Sequence, residues 1–126
     1  MAYRSDDYIL LTKYYELLYT IEESLKYLDE IEKDFAKTEG DLIFNDLIQA
    51  FFHLETTHPL LLSIIENEHF AKTIRSFDQI FSSFDILAFY TFPSNHFQSF
   101  LKTSFIPEYR KWMDEIHACM RPYVIH

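Results

Sequence analysis

Three acidic residues stand three positions ahead of a histidine: Glu55 before His58, Glu66 before His69, and Asp114 before His117. On a helix, residues three apart share a face, so each pair can present a carboxylate and an imidazole to one ligand. Helical bundles that hold two iron or manganese ions use Glu-x-x-His pairs from two helices and a glutamate from each of two others, because hard oxygen and imidazole ligands together suit those metals. The candidate metal set is Glu66, His69, Asp114 and His117, which Glu55, His58 and either Glu22 or Glu23 could extend. The ion would be iron, manganese or zinc. With six histidines and twenty acidic residues in 126 positions, composition alone produces roughly one such pair. Three is a small excess, and the pairs near Pro59 and Asn67 also suit helix ends, where polar side chains cap and solvate. The leading expectation is therefore no cofactor, with the metal centre as the alternative.

Arg110 and His117 have six residues between them, which resembles the Arg-x4–6-His signature of the HEPN family of small all-α ribonucleases. The resemblance covers these two residues and implies metal-independent RNA cleavage through them. Arg121 and His126 fit the same loose pattern, and an acidic surface is poor for RNA. The plainer reading is that Arg110 reaches Asp114 one turn along the helix. Cys119 lies two residues from His117, a spacing that points the two side chains in different directions on a helix, so a thiolate pair is not expected and a core role is. As the only cysteine it also excludes an intrachain disulfide, which suits a reducing compartment. The single glycine, Gly40, cannot build a phosphate-binding loop, so P-loop nucleotide hydrolysis is excluded.

A different kind of candidate lies in the first third of the chain. Glu16, Glu23, Glu30 and Asp34 follow one side of a predicted helix, and six of the nine tyrosines crowd the same region: Tyr3, Tyr8, Tyr14, Tyr15, Tyr19 and Tyr27. Tyrosine suits interfaces because it buries a rigid ring while keeping a hydroxyl for hydrogen bonding. The expected partner-binding residues are Tyr15, Glu16, Tyr19, Glu23, Glu30 and Asp34. Against this stands a reading in which the rings merely edge the core and the acids form a solvated helix face.

These residues need elements to position them. One glycine argues against β-rich folds, whose tight turns demand positive φ, and the apolar residues recur at helical spacing. Leu11, Tyr14, Leu18, Ile21, Leu25, Leu28, Ile31 and Phe35 alternate steps of three and four, which predicts a long first helix over 6–38. Gly40 would end it and Asp41 would cap a second helix with Phe44, Leu47, Ile48, Phe51 and Leu54 on one face. Pro59 would open a third, with a possible break near Asn67, running to about Tyr90. Asn95 with Gln98 reads as a capping-box variant opening a fourth, which Pro107 would kink or restart and Pro122 would end. The short apolar tail from Tyr123 to His126 is expected to dock on the body. The fold class is all-α, an irregular antiparallel four- to five-helix bundle with a long N-terminal helix, in a single domain over 1–126.

Composition narrows the partners. The net charge is −9, with thirteen acidic against five basic residues in 1–63 and seven against six in 64–126. Such a balance repels phosphate backbones and anionic lipid, so no direct nucleic acid or membrane binding is expected, whereas a basic protein partner would be attracted. No secretion signal or membrane span is read in the chain, and the expected location is cytoplasmic. The expectation for function is a small acidic non-enzymatic protein-binding module of the regulator, inhibitor or immunity and antitoxin type. Thirteen phenylalanines also make a homo-oligomer possible, with Phe84 to Phe92 as its candidate surface.

Overall fold

The computed structural model describes residues 5–30, 33–89 and 95–124. Among them every regular element is helical: α1 Ser5–Glu30, α2 Lys33–Ile64, α3 Glu68–Arg75, α4 Phe77–Phe89, α5 Asn95–Phe100, a π-helical turn Leu101–Phe105, and α6 Ile106–Val124. The fold is the expected all-α bundle with a long N-terminal helix.

Side-chain contacts set the directions of the four principal helices. Along α1, Tyr8 meets Val124, Tyr15 meets His117, Leu18 meets Tyr109 and Glu22 meets Arg110, so α1 and α6 run antiparallel. Phe44 and Phe51 touch Phe84, Phe51 also touches Phe77, and His58 touches Phe77, so α2 and α4 are antiparallel as well. Phe51 on Tyr109 and His58 on Trp112 place α2 parallel to α6. The result is an up-down-up-down arrangement around one continuous core, which includes Leu11, Leu18 and Leu25 of α1, Phe51 and Leu54 of α2, Phe70 of α3, Phe84 of α4, and Tyr109 and Ile116 of α6.

Several expected boundaries fall elsewhere. The first helix stops at Glu30, and α2 already covers Lys33 to Ile64, so Gly40 and Asp41 lie inside a helix and neither ends nor caps one. A mid-helix glycine costs only about 1 kcal/mol relative to alanine, which packing of the same helix can offset. Ile31 lies outside the described residues, as does the side chain of Phe35. Pro59 sits within α2 and begins no new helix. Its missing N–H deprives the carbonyl of Glu55 of a partner. Both residues are exposed, so this carbonyl stands on the solvent side, while Leu54, His58 and Leu61 continue the buried face.

The expected break near Asn67 is present. The side chain of Asn67 accepts from the amide of Phe70 at 2.9 Å and caps α3. A turn at Ser76 then separates α3 from α4 where one helix to Tyr90 was expected. The expected restart at Pro107 is present: the proline stands in the first turn of α6, which begins at Ile106 after the π-helical turn. The amide of Ile106 bonds the carbonyl of Leu101, and this wider π turn immediately precedes the proline, whose ring would crowd the carbonyl four residues back in an α-helix. Pro122 does not end α6, which reaches Val124. Val124 is buried and its carbonyl accepts from the Tyr8 hydroxyl at 3.2 Å, so the tail docks as far as it is described; Ile125 and His126 lie outside the described residues. Gln98 donates from Nε2 to the carbonyl of Leu28 at 3.4 Å, one of the terminal α1 carbonyls that lack an intrahelical partner. No helix among the described residues is long and apolar enough to cross a membrane.

Thr12 Oγ1 is buried with no hydrogen-bond partner among the described residues. An unsatisfied buried hydroxyl carries a desolvation penalty that a methyl of the same shape does not. Thr12→Val is therefore expected to stabilise the fold by about 1 kcal/mol, read as a higher urea midpoint with unchanged slope.

Candidate functional site: the outer face of α1 and its seam with α6

Helical periodicity sorts α1 into three strips. Leu11, Tyr14, Leu18, Ile21, Leu25 and Leu28 form the buried strip. Glu16, Glu23 and Glu30 recur every seven residues, two helical turns apart, and all three are exposed on the opposite side. Tyr8, Tyr15, Tyr19 and Glu22 occupy the flank that meets α6. Asp34 stands in the first turn of α2, where its side chain lies outside the described residues. The ridge expected on one helix is thus divided between two. Tyr3 also lies outside the described residues.

The tyrosines separate by role. Tyr14 is a core residue, 3% exposed, with its hydroxyl oxygen 2.7 Å from Nε2 of His58. Tyr15 is half-buried and packs on the ring of His117 at 4.1 Å between centroids, while Tyr19 contacts the same ring at 4.2 Å. Tyr19 nevertheless remains 44% exposed, and Tyr27 45%. The reading of the rings as core edging holds for Tyr14 and Tyr15, but Tyr19 and Tyr27 leave much of their surface to solvent beside the three glutamates.

His117 is held from both sides of the seam. Its Nε2 lies 3.1 Å from the backbone carbonyl of Tyr15. A carbonyl only accepts, so Nε2 carries the proton and is not available as a metal ligand. Burial lowers the His117 pKa, opposed by the Tyr15 carbonyl and by the carboxylates of Asp114 and Glu22. Arg110, one heptad earlier, donates from Nε to Glu22 of α1 at 3.2 Å, and Lys26 pairs with the same carboxylate at 3.3 Å. Arg110 thus reaches across the seam, not along its own helix to Asp114. Both residues of the Arg-x6-His pattern are engaged with α1.

The carboxylate-histidine pairs do not converge. Glu66 precedes α3 and is exposed, His69 is exposed on α3, and Asp114 is exposed on α6, whereas His117 is buried against α1. Glu55 is exposed while its pair mate His58 is buried beside Tyr14, Phe77 and Trp112. Among the described residues no group of three or more histidine, cysteine or acidic side chains is placed to hold a metal ion. Spacing of three aligns a pair on one helix, but only the packing of different helices brings two pairs together. Cys119 is partly buried, and burial together with Glu115 raises its thiol pKa, the opposite of what an activated nucleophile needs.

Residues 9–115 match the family described as "Domain of unknown function (DUF8042)". The chain belongs to this family. It is also similar to the protein called "Uncharacterized protein YvzG" of Bacillus subtilis (strain 168), with 51% identity over 121 residues, covering 96% of this chain and 97% of that protein. No solved structure matches.

Sequence reasoning missed the buried Tyr14–His58 pair. The helical position of Tyr14 on the apolar stripe signalled its burial, but nothing local signalled its partner 44 residues away. Burial pushes the His58 pKa down to about 4, and the same burial raises that of the Tyr14 hydroxyl. A histidine whose folded pKa is depressed binds its proton more readily when unfolded, so its contribution is present above pH ~6.5 and is lost as pH falls toward 4. The loss expected from His58 is about 3 kcal/mol, measurable as the difference in unfolding free energy between pH 7 and pH 4. Replacing the pair together, Tyr14→Phe with His58→Phe, should remove most of that difference; an unchanged pH dependence would show that His58 is not its source.

Proposed function

We propose that this protein is a small binding module whose α1 outer face docks a basic segment of another protein. The observation that carries the reading is the exposed, regularly spaced set of Glu16, Glu23 and Glu30 beside the half-exposed rings of Tyr19 and Tyr27. Carboxylates steer and orient a cationic partner, chiefly through the association rate. The tyrosine rings offer rigid apolar area that is desolvated on contact. Support also comes from the seam below: the anchoring of His117 and Arg110 to α1 holds the helix in place, so docking requires little reorganisation of the backbone. The acidic excess of 1–63 favours the same class of partner. Within this reading the module acts by occupancy, as regulators, inhibitors and immunity or antitoxin proteins do.

The test uses the purified chain as bait in a lysate of Bacillus subtilis, the source of its half-identical relative. A specific partner should be retained at low salt and weakened as ionic strength rises. The variant Glu16→Lys, Tyr19→Ala, Glu23→Lys, with an unchanged circular dichroism spectrum, should lose it by tenfold or more, an effect of about 1.4 kcal/mol. Full retention by that variant would remove α1 from the interface.

A further inference from the structure

On α4, Phe84 turns into the core at 3% exposure, and residues 90–92 lie outside the described residues, so the ring that opened the expected self-association surface is not free for one. The start of the same helix has a different use. Together with the turn at Ser76 it faces one side of α6 across a solvent-open cleft of about 240 Å³. Ile80 and Trp112, 3% and 4% exposed, form the apolar floor. The indole is fixed in place, since its Nε1 donates to the carbonyl of Thr73 at 2.9 Å and Phe77 packs on its ring at 5.0 Å. The α6 wall consists of Glu108, Lys111, Trp112 and Glu115, whose spacing sets all four on one face of the helix. Charge along that wall therefore runs negative, positive, negative. Ser83 of α4 donates to Oε2 of Glu108 at 2.9 Å and orients a carboxylate that still has lone pairs to accept further bonds. Lys111 has a glutamate within helical pairing reach on either side, yet among the described residues it forms no ion pair with either.

We propose that this cleft binds a free basic amino acid, arginine or lysine, through all three of its charges. Glu108 and Glu115 stand two helical turns apart, about 10.5 Å along the axis, too far to share one simple cation. Lys111 between them repels a diamine, whose charges are all positive, and the two carboxylates turn away a plain anion. A basic amino acid carries the complementary set. Its side-chain cation rests on Glu108, its α-carboxylate on Lys111 and its α-ammonium on Glu115, while its methylenes lie on Ile80 and Trp112. Charge-assisted bonds of this kind are the strong ones, and they fix orientation as well as affinity. The cleft is smaller than the ~300 Å³ at which pockets for drug-sized ligands begin, which suits a molecule of amino-acid size. A net charge of −9 favours the approach of a cationic ligand. Arg110 and His117, which meet α1, point to the other side of α6, so the cleft is separate from the α1 docking face.

Trp112 is the only tryptophan in the chain, so intrinsic fluorescence reports on this cleft directly. Titration with L-arginine and with L-lysine should give a saturable change for at least one of them, with a dissociation constant at or below about 1 mM. Agmatine lacks the carboxylate, Nα-acetyl-arginine the α-cation and norleucine the side-chain cation, and each should bind at least tenfold more weakly. Lys111→Met should weaken the amino acid at least tenfold and narrow its advantage over agmatine. Glu108→Gln should weaken amino acid and agmatine alike. Lys111 is exposed and Glu108 half-buried, so both variants should keep the helical spectrum and urea midpoint of the parent. Glu16→Lys on α1 should leave the titration unchanged. A response that does not saturate for either amino acid, agmatine or acetyl-arginine binding as tightly as arginine, or a Glu108→Gln, Lys111→Met double variant that binds as the parent does, overturns the proposal.

Discussion

The hydroxyl of Tyr109 donates to the backbone carbonyl of Leu18 at 2.9 Å, with Tyr109 wholly buried, and the rest of the bundle is arranged around that bond. Apolar burial drives the helices together but is non-directional, so an apolar stripe can slide along another at modest cost. A buried hydrogen bond between a ring and one particular carbonyl cannot, because slipping would leave both groups unsatisfied. The same ring touches Phe51 of α2, Phe105 of the π turn and Trp112 of its own helix. One residue therefore relates α1, α2 and α6 in depth and in register. Burial raises the Tyr109 pKa, so the hydroxyl keeps its proton for this role.

Three further buried or partly buried bonds repeat the device. Trp112 Nε1 donates to the carbonyl of Thr73 at 2.9 Å and anchors α3 on α6. Tyr14 and His58 join α1 to α2, and His117 joins α6 to the backbone of α1. Each uses a side chain with an apolar body and a polar tip, which adds to the core while supplying a directional bond. The abundance of aromatic residues thus has a structural use beyond area. It also explains why two of the six histidines take part in packing, where a metal site had been a possible assignment.

This division of labour leaves two outer faces of different chemistry. The α1 face is acidic with half-exposed tyrosines, and the α2 face is neutral with Leu42, Phe52 and Leu60.

Periodicity was enough to determine the all-α class, the buried strip of α1 from Leu11 to Leu28, and the regular spacing of Glu16, Glu23 and Glu30, because these follow from 3.6 residues per turn and need no knowledge of neighbours. The break near Asn67 was legible for the same reason: the hydrogen bond that caps α3 there closes within three residues. Helix boundaries at Gly40 and Pro59 were not legible, since local propensities of about 1 and 3 kcal/mol are small beside the burial gained by continuing a helix whose next turns face the core. Nor could sequence decide which carboxylate-histidine pairs meet, which tyrosines face solvent, or that His58 and His117 would be committed to Tyr14 and to the Tyr15 carbonyl. Those outcomes depend on the rotation and axial position of one helix against another, and such relations between distant segments exist only once the chain has packed.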